Sequence, residues 1–251
     1  MVTISSRQNK IVAHLRALGR DGAYRKKCGE FLGVGEKLLR EALASKAQIG
    51  AILWREAPLP GFEGAASVQY IVPEALADFV SPQANSPGPF FTVKVPERKP
   101  PEKIDRALVL ENVQDPGNVG TALRSAAAFG FDCVFLLGEC ADVYNPKTVR
   151  ATMGAIFKVA VLTPELDVLL RILQRQELPL YGACAGAGAT DLRRFREPRA
   201  AVAIGNEGAG LSARLLRHCA GRLAVPMEPG TESLNAAVAA SVIMWELYRG
   251  E

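Results

Sequence analysis

The strongest constraint on this 251-residue chain is a set of short apolar runs that scarcely alternate with polar residues. Ala107 to Val113, Cys133 to Leu137, Leu180 to Ala185 and Ala201 to Ile204 are too short to be whole helices, and they lack the every-other-residue polarity of a half-exposed strand. A strand apolar on both faces must be covered on both faces, which is the situation of a parallel sheet flanked by helices. Helical patterns fill the intervals at Thr121 to Phe129 (closing at Gly130), Pro164 to Glu177, Ser212 to Cys219 and Leu234 to Tyr248. Further strands are expected at Ile156 to Leu162 and Arg222 to Val225. The expected fold is α/β, with a mostly parallel sheet in the C-terminal part.

The N-terminal part alternates too. Phe31 to Val34, Ile49 to Trp54, Ser67 to Val72 and Phe90 to Val95 read as strands, with helices at Glu36 to Ser45 and Pro73 to Val80. Ahead of them, Ile11, Leu15 and Leu18 recur at helical spacing within a basic segment. Residues 1–27 hold seven basic side chains against Asp21, a net +6, whereas the whole chain is only +4. A basic amphipathic helix suits a solvated face and a phosphate backbone equally well. Val95 to Lys103 is proline-rich and charged, a composition that favours an extended spacer. The division expected is therefore a domain over 1–95, a linker over 96–103 and a second domain over 104–251.

Composition removes several chemistries. The 49% hydrophobic and 22% charged content excludes a disordered chain, and +4 is too little for a histone-like polycation. No apolar run reaches the ~20 residues that span a bilayer, and the first residues lack the apolar core of a signal peptide, so a cytoplasmic protein is expected. Five scattered cysteines without a C-x-x-C pair argue against a disulfide framework or zinc site. With His14 and His218 the only histidines, a histidine-based triad or metal centre has almost no material. Any catalysis falls to Arg, Glu, Asn and Ser, and no metal is expected.

Polar and glycine-rich residues gather where strands end, the place where open α/β sheets bind ligands. Three loops stand out, at 111–120, 205–210 and 225–235. Gly182 to Gly188 imitates the start of a dinucleotide fingerprint, but G-x-G-x-x-G spacing is absent, as is a following acidic residue for a ribose. A nucleotide-dependent oxidoreductase is thus a weak alternative.

Taken together the three loops resemble the motifs of the SpoU (TrmH-like) RNA ribose methyltransferases. Asp115-Pro116-Gly117-Asn118-Val119-Gly120-Thr121, followed by Arg124-Ser125-Ala126 and Ala128-Phe129-Gly130, resembles the first motif. Gly205-Asn206-Glu207-Gly208-Ala209-Gly210-Leu211-Ser212 is similar to the second, and Val225-Pro226-Met227 with Gly230 and Ser233-Leu234-Asn235 to the third. Asn145-Pro146-Lys147 to Gly154-Ala155-Ile156-Phe157 matches a segment between the first two. In the N-terminal part, Ser6-Arg7-Gln8-Asn9, Tyr24-Arg25, and Phe31-Leu32 with Gly35-Glu36-Lys37 resemble the ribosomal-protein-like RNA-binding domain that precedes the catalytic domain in many of these enzymes. Val34 and the pair Ala236-Ala237 depart from the common pattern.

The resemblance implies a SPOUT fold whose C-terminal chain threads a trefoil knot, an arrangement that ordinary topology rules disfavour. It implies S-adenosylmethionine as methyl donor, held by the knot loops near a subunit interface, and hence a homodimer without membrane association. Gly205, Val225 and Leu234 match the positions that touch the donor. Arg124 matches the catalytic arginine, as a base or as a clamp on the neighbouring phosphate. The base role requires removal of a proton that arginine holds tightly. Asn118 is expected to orient Arg124, Glu207 and Asn235 to hold the arginine and the ribose, and Ser233 to cap the last helix beside the donor. Arg7, Lys10, Arg25, Lys26 and Lys27 are expected to contact RNA, with large-subunit rRNA favoured over tRNA. A non-catalytic RNA-binding protein of the same fold is the remaining alternative.

Overall fold

The computed structural model describes residues 2–83, 86–184, 188–231 and 233–249. The chain divides into two compact units, one of Met1–Glu97 with Asp142–Phe157 and one of Arg98–Ala141 with Lys158–Glu251. Residues 142–157 thus return to the first unit, a feature that the linear division at 96–103 does not contain.

The first unit runs β1 (Val2–Thr3), α1 (Lys10–Arg20), α2 (Gly22–Cys28), β2 (Glu30–Val34), α3 (Glu36–Ala44), β3 (Ile49–Arg55), β4 (Val68–Val72), α4 (Glu74–Val80) and β5 (Phe90–Lys94). Its sheet has the order β1-β4-β3-β5-β2, with β5 antiparallel to both neighbours and the other pairs parallel. Helix α1 buries Val12, Leu15 and Leu18 against Leu32, Leu53 and Phe90, as its apolar spacing requires. Asn9 caps α1 by accepting from the Ile11 amide. Helix α2 carries too little apolar periodicity to be seen in the sequence; it starts because the Asp21 side chain accepts from the Tyr24 amide.

The returning segment carries α6 (Pro146–Ala151). Tyr144 stacks on Phe31 with ring centroids 4.9 Å apart. The expected strand over Ile156 to Leu162 divides here. Positive φ at Met153 (50°) and Gly154 (94°) turns the chain into a 3-10 helix over Ala155–Phe157. Buried Ile156 belongs to the first unit, and only Ala160–Leu162 forms a strand in the second. One apolar run thus serves two cores.

The second unit begins with β6 (Arg106–Glu111), α5 (Pro116–Ala128) and β7 (Cys133–Leu137). After the return segment come β8 (Ala160–Leu162), α7 (Leu166–Arg175), β9 (Leu180–Ala183), β10 (Thr190–Asp191), β11 (Ala200–Ile204), α8 (Ala213–Leu216), β12 (Gly221–Ala224) and α9 (Ala236–Arg249). The sheet order is β10-β12-β9-β11-β6-β7-β8, and its recorded strand pairs are all parallel. Leu169 and Leu173 of α7 and Leu215 of α8 cover one face over Val109, Phe135, Ala201 and Ala203. On α5 and α9, which pack together, Leu123, Ala126, Ala240 and Met244 are buried. The near-continuous apolar runs are accounted for: β7 and β11 are buried at every position. Because the strands run parallel, the C-terminal ends of β6, β9, β11 and β12 open on one edge, and the three polar loops meet there. Among the described residues no helix is long and apolar enough to cross a membrane.

Candidate active site

Helix α5 starts five residues earlier than its apolar pattern shows, because Asp115 caps it and Pro116 occupies its first turn. The Asp115 carboxylate accepts from the Asn118 amide at 2.8 Å. This places Asn118 in the first helical turn rather than in a loop. Its side-chain Nδ2 donates to Glu207 Oε1 at 2.6 Å, and its Oδ1 accepts from Asn235 Nδ2 at 2.9 Å. The polarity of this chain of bonds follows from chemistry. A carboxylate only accepts, so the amide nitrogen of Asn118 faces Glu207. The oxygen of Asn235 is committed to the backbone amides of Ala237 (2.9 Å) and Val238 (3.2 Å), so its nitrogen faces Asn118. The Asn118 side chain therefore ties the start of α5 to the loop after β11 and to the residue that caps α9.

Two expectations change here. Asn118 turns to Glu207 and Asn235 rather than to Arg124. Asn235, not Ser233, supplies the cap of α9. Arg124 lies on the exposed face of α5 and makes no side-chain hydrogen bond or ion pair among the described residues.

The loop after β11 is shaped by a close backbone approach. A Cβ on Gly205 would stand 2.2–2.4 Å from backbone atoms of Gly210 and Leu211, so only glycine fits. Asn206 organises the turn: its Oδ1 accepts from the Gly208 and Ala209 amides, and its Nδ2 donates to the Asn112 carbonyl at 3.0 Å. Buried Glu111 at the end of β6 accepts from the Ser212 amide and hydroxyl, both at 2.7 Å, and so fixes the entry to α8. The roles of Asn206 and Glu111 do not emerge from sequence, although both stand inside the motif loops; each acts through residues about a hundred positions away.

Beside this junction lies a cleft of about 420 Å³. Gly205, Val225 and Leu234, the expected donor contacts, all line it, as do Glu207 and Ser233. Leu223, Met227, Ala239 and Ile243 add an apolar wall. Ala183 and Cys184 also line it, so the glycine-rich run that imitates a dinucleotide fingerprint begins at the cleft; residues 185–187 lie outside the described ones. Burial raises the pKa of the Cys184 thiol, with nearby Arg222 opposing, and burial pushes Cys219 up to about 11. These thiols act as small apolar groups.

Motif loops converging on one cleft at the C-terminal edge of a parallel sheet agree with the SpoU rRNA methylase family pattern, which matches residues 105–245. The chain belongs to the SpoU rRNA methylase family. It is 34% identical to the 23S rRNA (guanosine(2553)-2'-O)-methyltransferase RlmP of Bacillus subtilis, over 89% of this chain and 90% of that protein. It is also 34% identical to an uncharacterized tRNA/rRNA methyltransferase of Synechocystis, over 99% and 94% of the two chains. Among solved structures, the AdoMet-bound rRNA methyltransferase of Sinorhizobium meliloti superposes with a TM-score of 0.89 at 26% identity, covering 99% of this chain and 98% of that one. The SpoU methyltransferase AviRb of Streptomyces viridochromogenes gives 0.87 at 25% identity, covering 96% and 97%. These similarities take in the N-terminal unit as well as the catalytic one.

The expected RNA contacts sort by accessibility. Arg7, Lys10, Lys26 and Lys27 are exposed. Arg25 is not. It is 5% exposed and donates to Asp142 Oδ2 at 2.5 and 2.9 Å and to the Leu18 carbonyl at 2.7 Å. This arginine holds the return segment to the first unit and is removed from the set of phosphate contacts.

Proposed function

We infer that this chain transfers the methyl group of S-adenosylmethionine to a ribose 2′-hydroxyl of RNA, with large-subunit rRNA as the substrate. The observation that carries this reading is the Asn118 junction: motif residues of three loops are bonded together at the mouth of a cleft lined by the three expected donor contacts. The cleft fits the donor. Its apolar wall suits the adenosine and excludes water, while the Glu207 carboxylate at the mouth offers opposite charge to a sulfonium. When bound, the donor supplies an electrophilic methyl group. The chain must then place a neutral hydroxyl in line with it and assist loss of the hydroxyl proton. Exposed Arg124 fits a clamp on the adjacent phosphate that also polarises the hydroxyl, since a guanidinium in water is a donor and not an acceptor. Asn118 and Asn235 hold Glu207 and the start of α9 in fixed register around that point. The trefoil knot belongs to the same reading, because the loop after β11 folds back at Gly205 and the segment after β12 lines that loop's cleft before entering α9.

The homodimer is supported by α9. Val238, Val242, Trp245 and Tyr248 on its outer side are 37–49% exposed, and Trp245 and Tyr248 join Phe129 in an aromatic cluster. A contiguous apolar stripe with large aromatics marks an interaction surface. A second copy seated there completes the surroundings of α5 and Arg124. The similarity to a bacterial 23S rRNA methyltransferase supports work in the cytoplasm.

The test is transfer of labelled methyl from S-adenosylmethionine to deproteinised 23S rRNA or to tRNA, in excess chelator. One phosphodiester in 23S rRNA should become resistant to alkaline cleavage, with the rate unaffected by chelation. Label entering tRNA alone would reassign the substrate, and no transfer to either would end the reading.

A further inference from the structure

Four arginines of the first unit surround the C-terminal end of α4. Arg16 of α1 places its Cζ 3.5 Å from the centroid of the Phe79 ring, and Nη1 donates to the Phe79 carbonyl at 3.3 Å. Arg7 lies over the same ring at 4.7 Å. Exposed Arg20 follows Arg16 by four residues and so stands one turn further along the same face of α1. Arg150, from α6 in the return segment, donates to the Gln83 side chain. Arg7, Arg16 and Arg150 converge on residues 79–83, although Arg150 lies far along the chain from the others.

No carboxylate pairs with Arg7, Arg16 or Arg20 among the described residues. Partial burial of Arg16 lowers its pKa, and the charges of Arg20 and Arg7 act in the same direction. Such a cluster is electrostatically costly unless an anion neutralises it. The guanidinium of Arg16 is already oriented by a ring and a carbonyl, so little side-chain freedom remains to be lost on binding. A planar, fixed guanidinium matches a phosphodiester better than a mobile ammonium does.

We propose that the Arg7–Arg16–Arg20–Arg150 surface around Phe79 is the main anchor for the RNA phosphate backbone. This assigns RNA docking by the first unit to a surface that α6 completes, rather than to the Arg25–Lys26–Lys27 run. It rests on the RNA methyltransferase reading above.

Binding of the full-length protein to deproteinised 23S rRNA, titrated across salt concentrations, tests it. In the triple variant Arg7→Gln, Arg16→Gln, Arg150→Gln, RNA affinity at low salt should fall tenfold or more. The slope of log affinity against log salt should shrink by about 0.7–0.9 for each phosphate no longer neutralised. The double variant Arg7→Gln, Arg150→Gln leaves the Phe79-stacked Arg16 in place, keeps the test open should the triple variant misfold, and should lose an intermediate amount. Lys26→Gln, Lys27→Gln should change affinity by less than the double variant does. Donor binding should stay within twofold throughout. Unchanged affinity and slope in the folded arginine variants, or a larger loss from the lysine pair, would overturn the proposal. Failure of the wild-type protein to transfer methyl to RNA would instead count against the functional reading, and the two failures are distinguishable in one set of samples.

Discussion

Arg124 and Asp142 show how differently two charged side chains can matter in one chain. Arg124 is exposed on α5 and makes no ion pair among the described residues, so its removal should leave the fold and the donor cleft intact. Arg124→Ala is expected to lower kcat by about 10²–10³-fold, the usual cost of losing one transition-state donor, with donor affinity by calorimetry unchanged. Arg124→Lys should also fail, because an ammonium lacks the planar two-pronged geometry. Near-normal turnover of the lysine variant would remove the clamp role. Asp142 answers a buried guanidinium at 2.5 Å. Asp142→Ala strands that charge inside the first unit and should destabilise it by about 3 kcal/mol, measured by urea unfolding. The lower end of the range applies because the carboxylate itself keeps some contact with water.

At the scale of elements, the donor cleft depends on one crossing of backbone over backbone. Gly205→Ala inserts a methyl group where atoms of Gly210 and Leu211 already stand 2.2–2.4 Å away. The loop must open, and S-adenosylmethionine binding should be lost while Tm falls only modestly; tight donor binding by this variant would show that the loop tolerates repacking. Helix α9 is tested through its exposed apolar stripe. Trp245, 49% exposed, lies in the centre of the apolar stripe. Trp245→Glu should convert a dimer to monomers in light scattering, and a wild-type protein that is already monomeric at micromolar concentration would remove that role from α9.

For the molecule as a whole, the return of residues 142–157 to the first unit changes what truncation can report. A chain beginning at Lys103 retains every residue of the donor cleft, yet its 142–157 segment is deprived of Phe31 and Arg25. Half-buried Tyr144 and Phe157 then lose the Phe31 ring, and buried Ile156 loses cover with them. Such a chain should bind hydrophobic dyes and unfold at lower temperature than the full-length protein, both readable by fluorescence. A dye-negative, fully stable truncated chain would mean that the segment does not need the first unit. Charge substitutions in the full-length protein are therefore the sounder probe of RNA binding.

Local sequence sufficed where one residue's environment is set by its neighbours along the chain. The apolar runs specified β6, β7, β9 and β11 because strands buried on both faces admit no polar positions. The spacing of Leu15 and Leu18 specified the buried face of α1, although Val12 rather than Ile11 is its third buried residue, and the loops at 205–210 and 225–235 contained part of the cleft lining. What depended on distant partners was not legible. Asn118 could bond to Arg124 or across to Glu207 and Asn235, and only the convergence of parallel strand ends at one edge selected the latter. Arg25 has the same charge as Lys26 and Lys27, but the helical turn directs it inward to Asp142, which lies 117 positions away. Ile156 to Leu162 is apolar throughout, and sequence alone cannot say that its first half enters one core and its second half another. Burial is a property of the assembled chain: periodicity tells which residues seek an interior, and tertiary structure decides which interior receives them.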